Sequence, residues 1–224
     1  MDKSKLYEST LREYLQYDLD MEVPDNPKSA IVCDIDDTLV RANAEMIGVW
    51  KRSKDGTEKR LTSAEYAVDP DAGKPENNWM WDFRELNDKD NVYRSLLTGT
   101  PLSNNLRFLG KHLRAHYDFI FLTARSLEYT IYKALKDFIF YRNNEGQRVH
   151  PEDEFNLELC AAINDAGNVY EGINDPEKKA NMLKKICSYY NNGEVVYIDD
   201  DIKNLKAADE LHLPNLKVYQ ARKD

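Results

Sequence analysis

Cysteine, basic excess and long apolar runs are all scarce in this chain. Only three cysteines occur, Cys33, Cys160 and Cys187. An odd number at wide spacing excludes a disulfide framework and offers no zinc-ligand pattern. Each lies beside apolar residues, as buried thiols of a reducing compartment do, so a cytoplasmic protein is expected. No apolar stretch is long enough to span a bilayer, and the mean hydropathy is −0.71. The opening residues Met1 to Lys5 lead into charged, tyrosine-rich sequence without the apolar core of a signal peptide. Lys and Arg number 31 against 40 Asp and Glu, a net charge of −9. That balance argues against a broad nucleic-acid coat, although a local basic patch stays compatible with it. The four histidines, His112, His116, His150 and His212, form no metal-binding motif and read as surface or structural residues. What is present is ample core material: 224 residues, 42% hydrophobic and 11% aromatic, enough for one domain with an insertion.

The pattern along the chain is that of an α/β protein. Helical spacing of Leu6, Tyr7, Leu11, Tyr14 and Leu15 predicts a helix over 4–17, closed by Pro24 and Pro27. Ala30–Cys33 is a short continuous apolar run, the pattern of a strand buried on both faces, Phe119–Leu122 predicts a second buried strand, and Phe155–Ala162, Val195–Ile198 and Leu216–Tyr219 predict three more strands. Between them, Leu102, Leu106, Leu109 and Leu113 repeat at helical intervals. Ser126 is placed to cap a helix through Ile131, Leu135, Phe138 and Ile139. Asp175-Pro176 reads as an N-cap and first helical position, opening a helix through Met182, Leu183 and Ile186. Strands alternating with helices predict a doubly wound, Rossmann-like parallel sheet over residues 1–39 and 101–224. Residues 40–100 break the rhythm. Met46–Trp50 and Thr57–Leu61 flank an Asp55-Gly56 hairpin signal, and Thr62-Ser63-Ala64-Glu65 has capping-box form. Residues 69–79 read as an irregular loop. The segment is expected to be a hairpin-containing cap insertion, not an independent domain.

Ligands of such sheets bind beyond the carboxyl ends of the strands. Three predicted strands end there in polar side chains: Asp34, Asp36 and Thr38; Thr123 and Arg125; Asp199, Asp200 and Asp201. Crowded carboxylates repel unless a cation sits among them, and a hard, oxygen-seeking ion, Mg²⁺, suits them best. Mg²⁺ with open positions favours a phosphate. One carboxylate could attack phosphorus and a second, two residues on, could move the proton, with a hydroxyl and a lysine holding the phosphoryl oxygens.

Asp34-Ile35-Asp36-Asp37-Thr38, Leu122-Thr123-Ala124-Arg125, a lysine-led helix, and Asp199-Asp200-Asp201-Ile202-Lys203-Asn204 follow one another in that order. Together they resemble the haloacid dehalogenase-like (HAD) phosphohydrolases, over residues 30–204. The Thr123-to-Ser126 run with Thr130 looks most like the acid-phosphatase and polynucleotide 3′-phosphatase branch. The resemblance implies Asp34 as nucleophile and metal ligand. It makes Asp36 the general acid/base, also a ligand through its backbone carbonyl, and Thr123 a phosphoryl contact. Asp200 becomes the second Mg²⁺ ligand, supported by Asp199 and Asn204. Lys179 stands as the motif lysine with Lys178 adjacent, and Thr38, Arg125 and Lys178 are expected near substrate. An acid at Asp36 favours ester hydrolysis over dehalogenation. The expected activity is a Mg²⁺-dependent phosphomonoesterase working through an aspartyl-phosphate. Its substrate would be a nucleotide, a nucleic-acid 3′-phosphate or a small phosphorylated metabolite. A phosphoryl-accepting signalling module and a catalytically silent scaffold are the alternatives.

Two features of the insertion admit two readings each. Lys51, Arg52, Lys54, Lys59 and Arg60 face only Asp55 and Glu58 in the hairpin, so the ribbon could attract a polyanion or simply be solvated. Trp50, Trp79, Trp81 and Phe83 could stack bases or pack the insertion.

Overall fold

The computed structural model describes residues 29–72, 79–115, 117–139, 157–166 and 170–222. The helix expected over 4–17, His116, His150 and most of the irregular loop lie outside the described residues. In chain order come β1 (Ala30–Cys33), β2 (Val40–Arg41), β3 (Val49–Ser53), β4 (Glu58–Leu61), α1 (Ser63–Val68) and β5 (Trp79–Asp82). Next are α2 (Lys89–Leu97), β6 (Thr100–Pro101), α3 (Ser103–Arg114), β7 (Asp118–Thr123) and α4 (Glu128–Ile139). The chain continues through β8 (Leu157–Ala162), α5 (Asp175–Tyr189), β9 (Val195–Asp199), α6 (Ile202–Asp209) and β10 (Leu216–Gln220).

The five predicted strands form one parallel sheet in the order β10-β9-β1-β7-β8, with β10 at one edge half-buried to exposed. Every residue of β1, β7 and β9 is buried, because helices cover both faces. Side-chain alternation along the strands splits the core in two. Ile31, Cys33, Phe119 and Phe121 join Val92 and Leu96 of α2 and Ile131 and Leu135 of α4 on one face. Ala30, Val32, Ile120 and Tyr197 join Met182, Leu183 and Ile186 of α5 and Leu205 of α6 on the other. Register then sets the site. Cys33 lies opposite Phe121 on one side and Ile198 on the other. The residues that follow, Asp34, Leu122-Thr123 and Asp199, therefore emerge side by side at one rim.

Small antiparallel sheets form an insertion between β1 and β7. One is β4-β3-β5, the other pairs β2 with β6. The hairpin turns at Asp55-Gly56, with Ser53 and Thr57 closing it through a 2.9 Å backbone bond and Gly56 at φ 89°. Only glycine adopts that conformation without strain. Its first strand starts at Val49, three residues later than the apolar pattern suggested. The Thr62–Glu65 capping box is formed, with both reciprocal bonds present.

Two helix starts differ from expectation. The helix cap before α5 is Asn174, one residue ahead of Asp175, with its side chain accepting from the Glu177 amide at 3.1 Å. Helix α4 begins at Glu128, and its first amide donates to Asp165 Oδ2 at 2.7 Å, a residue beyond β8. Ser126 instead donates to Asn87 Oδ1 at 3.0 Å, fastening the rim to the insertion.

Candidate active site

The loop after β1 is built by its own backbone. The Asp34 amide extends the sheet by donating to Ile198 O at 3.0 Å, and the amides of Leu39 and Val40 both return to Ile35 O. Asp37 takes a left-handed conformation at φ 53°, which a short polar side chain tolerates best among non-glycine residues. Asn105 Nδ2 reaches across to Thr38 O at 2.7 Å and also to Arg222 O at 3.0 Å. The turn is thereby fixed from outside.

At the centre of the site a buried lysine joins two buried carboxylates. Lys179 Nζ donates to Asp34 Oδ1 at 2.7 Å and to Asp199 Oδ2 at 2.8 Å, with its side chain 2% exposed. Lys179 enters from the second turn of α5 beside Ala180 and Leu183 on the buried face of that helix. Its neighbour Lys178 points elsewhere, to Asn164 Oδ1 at 2.7 Å on the exposed side. Asp199 accepts further bonds: from the Asp201 amide at 2.8 Å, from Asn204 Nδ2 at 3.0 and 3.2 Å, and from the Tyr197 hydroxyl. Burial works to lower the Lys179 pKa, but the Asp34 and Asp199 carboxylates outweigh it and hold the ammonium above its ordinary range. Burial raises the Asp34 carboxyl well above the carboxylate range; Lys179 opposes this, while Asp199 and Asp36 push the same way as burial. The excess of negative charge therefore outlasts the one buried cation.

Asp34, Asp199 and Asp200 offer carboxylate oxygens within 4.8 Å of one another. All donors are oxygens, and three carboxylates carry more charge than Lys179 offsets, so the set fits a hard metal cation. Asp36 sits at the mouth, its side chain 42% exposed, gripped by a bidentate fork from Arg125 at 2.6 and 2.7 Å. Arg125 also contacts Ser95 Oγ of α2 at 3.4 Å, so the insertion backs the fork. Thr123 is buried, with its Oγ1 accepting from the Arg125 amide at 3.3 Å.

The structure therefore brings Asp34, Asp36, Thr123, Arg125, Lys179, Asp199 and Asp200 to one rim. It turns Lys178 outward and encloses Thr38 completely, leaving that hydroxyl without a hydrogen-bond partner among the described residues. Three supporting residues escaped the reading of the sequence: Tyr197, Ser95 and Asn105. Tyr197 was findable, since a residue two before Asp199 on a strand shares its face. Ser95 and Asn105 act across 30 and 67 residues of chain and carry no local signal.

The cysteines are held as buried thiols. All three are free and buried. Burial pushes the Cys187 thiol up to about 12 and Cys33 and Cys160 well above their ordinary range. A parallel α/β sheet with a paired-acid site at its carboxyl rim is the class that fold and geometry define. No known protein-family model matches the chain, and no curated protein matches it. Among the described residues no helix is long and apolar enough to cross a membrane.

Proposed function

We propose that this chain is a Mg²⁺-dependent phosphomonoesterase of the HAD type. The observation that carries the reading is the buried Lys179 bridging Asp34 and Asp199 beneath the half-exposed Asp36. Asp34 attacks phosphorus and forms an aspartyl-phosphate as the ester oxygen departs. Asp36 donates a proton to that oxygen, then takes one from the water that cleaves the acyl phosphate. Thr123 and Lys179 hold phosphoryl oxygens whose charge must be stabilised. Arg125 fixes the direction of the Asp36 carboxylate. Asp34, Asp200 and the Asp36 carbonyl would hold Mg²⁺, which when bound supplies positive charge opposite the phosphoryl oxygens. Asp199, already engaged by four donating groups, serves chiefly to anchor Lys179.

A small phosphorylated molecule is favoured over a long polyanion. Three of the five hairpin cations are engaged internally. Lys51 is buried against Asp69 and Asp71 at 2.9 and 2.8 Å, Arg60 pairs with Glu85 at 2.7 Å, and Arg52 pairs with Glu58. The tryptophans likewise pack the insertion: Tyr66 meets Trp81 edge-on at 5.0 Å, and Lys51 Nζ lies 4.6 Å from the Trp79 ring centre.

Turnover of an aryl phosphate with and without Mg²⁺, together with trapping of the acyl phosphate, tests the proposal. Mg²⁺-dependent turnover that Asp34→Asn abolishes is the expected result. Labelling of Asp34 without turnover would favour a phosphoryl-accepting signalling module. Neither labelling nor turnover would leave a silent scaffold.

A further inference from the structure

We propose that Asn164 is a positioning residue of the phosphoryl site. Its side-chain amide fastens the end of β7, which carries Thr123 and Arg125, to the start of α5, which carries Lys179. This rests on the phosphomonoesterase reading and adds to it a residue that acts through others. Asn164 lies two residues past Ala162, the β8 partner of Thr123. The ladder runs on beyond the strands, with Ile163 N donating to Thr123 O at 2.9 Å and Asn164 N to Arg125 O at 3.3 Å. From that fixed backbone the side chain reaches both ways. Its Nδ2 donates to Ala124 O at 2.7 Å and to Asp175 Oδ1 at 3.0 Å, and its Oδ1 accepts from Lys178 Nζ at 2.7 Å.

These three bonds need a carboxamide. Both N–H groups face oxygens and the oxygen faces an ammonium, so the reversed amide would set oxygen against oxygen twice. A carboxylate of the same shape has no donor for Ala124 O. Packing explains why such a tie matters. The buried face of α5 begins at Lys179. Asp175 to Lys178 are half-buried or exposed and precede the apolar contacts of Met182, Leu183 and Ile186. The direction of that first turn is set mainly by hydrogen bonds, and Lys179 follows it directly. Asn164 thereby sets the spacing between Thr123 and Lys179, the two side chains that hold phosphoryl oxygens in the proposed reaction. Lys178 has Asn164 Oδ1 as its one side-chain partner among the described residues, so its part is to orient that amide from the exposed side.

The test measures kcat and KM of the Mg²⁺-loaded protein for an aryl phosphate, together with the melting temperature. Asn164→Ala removes an exposed side chain. It is expected to lower kcat on the order of tenfold with KM little changed, the pattern of a misplaced transition-state contact. The melting temperature should stay close to that of the unaltered protein. Lys178→Met should lower kcat less, and in the Asn164→Ala background it should have no further effect. A rise in KM from Lys178→Met that survives in that background makes Lys178 a direct substrate contact and overturns the inference. Unchanged kinetics in Asn164→Ala, or a loss matched by a loss of folded protein, overturns it too and leaves the phosphatase reading standing. If the unaltered protein hydrolyses no ester, that reading fails by itself. The tie is then judged by calorimetric binding of inorganic phosphate in Mg²⁺: weaker binding by Asn164→Ala sustains it, and equal binding, or none by the unaltered protein, overturns it.

Discussion

Replacing Lys179 by Met should expose how much the protein depends on one buried cation. Lys179 is 2% exposed and holds two carboxylates at 2.7 and 2.8 Å, themselves 7% and 1% exposed. Met fills a similar volume but leaves Asp34 and Asp199 facing each other without a counter-charge. Breaking a buried ion pair from one side costs about 3–5 kcal/mol. For a chain of this size that corresponds to a melting temperature lower by roughly 6–20 °C. Asp34→Asn acts on the same contact from the other side and should cost little. Lys179 keeps Asp199, and a carboxyl already pushed upward by burial is relieved of its charge. The pH dependence separates the two further. A buried acid with a raised folded pKa takes up a proton more readily folded than unfolded, so the Lys179→Met deficit should narrow as pH falls from 8 towards 5. Urea unfolding in EDTA of the two single variants and the double variant measures all three terms. In the double variant, the added Asp34→Asn change should recover part of the loss. Lys179→Met as stable as the unaltered protein, or Asp34→Asn equally damaging, would refute this account of the charge balance.

The other predictions concern the mouth of the site, the insertion and its acid sensitivity. Asp36→Asn should slow turnover by about 10²–10⁴-fold, and less for esters with good leaving groups, if phosphoryl transfer to Asp34 limits the rate; stopped-flow comparison across an aryl phosphate series decides this. Glu85→Gln leaves an acceptor for Trp50 Nε1 (2.7 Å) but removes the charge facing Arg60. Because both side chains are partly exposed, the cost should be only about 1–2 kcal/mol, read from urea unfolding. Lys51 and Arg60 hold Asp69 and Glu85 below the ordinary carboxylate range. Stability from these two acids is therefore complete above about pH 4 and is lost as pH falls through their lower folded values. All three tryptophans, Trp50, Trp79 and Trp81, lie in the insertion, so their fluorescence should change below pH 4 while holding steady from pH 7 to 5. A change already complete at pH 5 would contradict this pairing.

The parts of the fold legible in the sequence are those fixed by local pattern. Ala30–Cys33, Val195–Ile198 and Phe119–Leu122 are unbroken apolar runs of strand length, and covered parallel strands have that composition. The acids at their ends were legible for the same reason, since parallel register aligns whatever follows each run. Local chemistry also explains the near miss at α5: Asn174 and Asp175 are both good caps, and the choice rests on backbone angle, not composition. What escaped depends on distant partners. Asp165 caps α4 across 37 residues, where Ser126 offered the ordinary local solution. Lys51 looked like an exposed cation of a ribbon, yet it shares the inward face of β3 with Val49. Burial there is tolerable because Asp69 and Asp71 come to meet it from 18 and 20 residues downstream.

In sequence the acids after β1 and β9 look like equivalent pairs, but the fold gives their members unlike surroundings. Asp34 and Asp199 are enclosed and share Lys179, whereas Asp36 and Asp200 lie nearer solvent, half-buried at the rim. At Asp199 and Asp200 alternation along an extended backbone produces that difference, because adjacent residues point to opposite sides; Asp36, two residues past Asp34, lies instead in the turn beyond β1 that the Leu39 and Val40 amides close on Ile35 O. The difference has an electrostatic consequence. The inner pair holds two carboxylates against one ammonium and so keeps unneutralised charge in a place where water cannot screen it. Arg125 offsets Asp36 at the mouth and also acts on Asp34 from a distance, but among the described residues Lys179 is the side-chain cation in direct contact with Asp34 and Asp199. The remaining charge must be met by a proton on Asp34 or by a cation entering from the rim beside Asp200. On the proposed mechanism, a proton would silence Asp34 as a nucleophile, and a cation would keep it ionised. Occupancy of the site by a metal ion and readiness of Asp34 for attack are therefore two aspects of one charge balance, set by where the chain buries its acids.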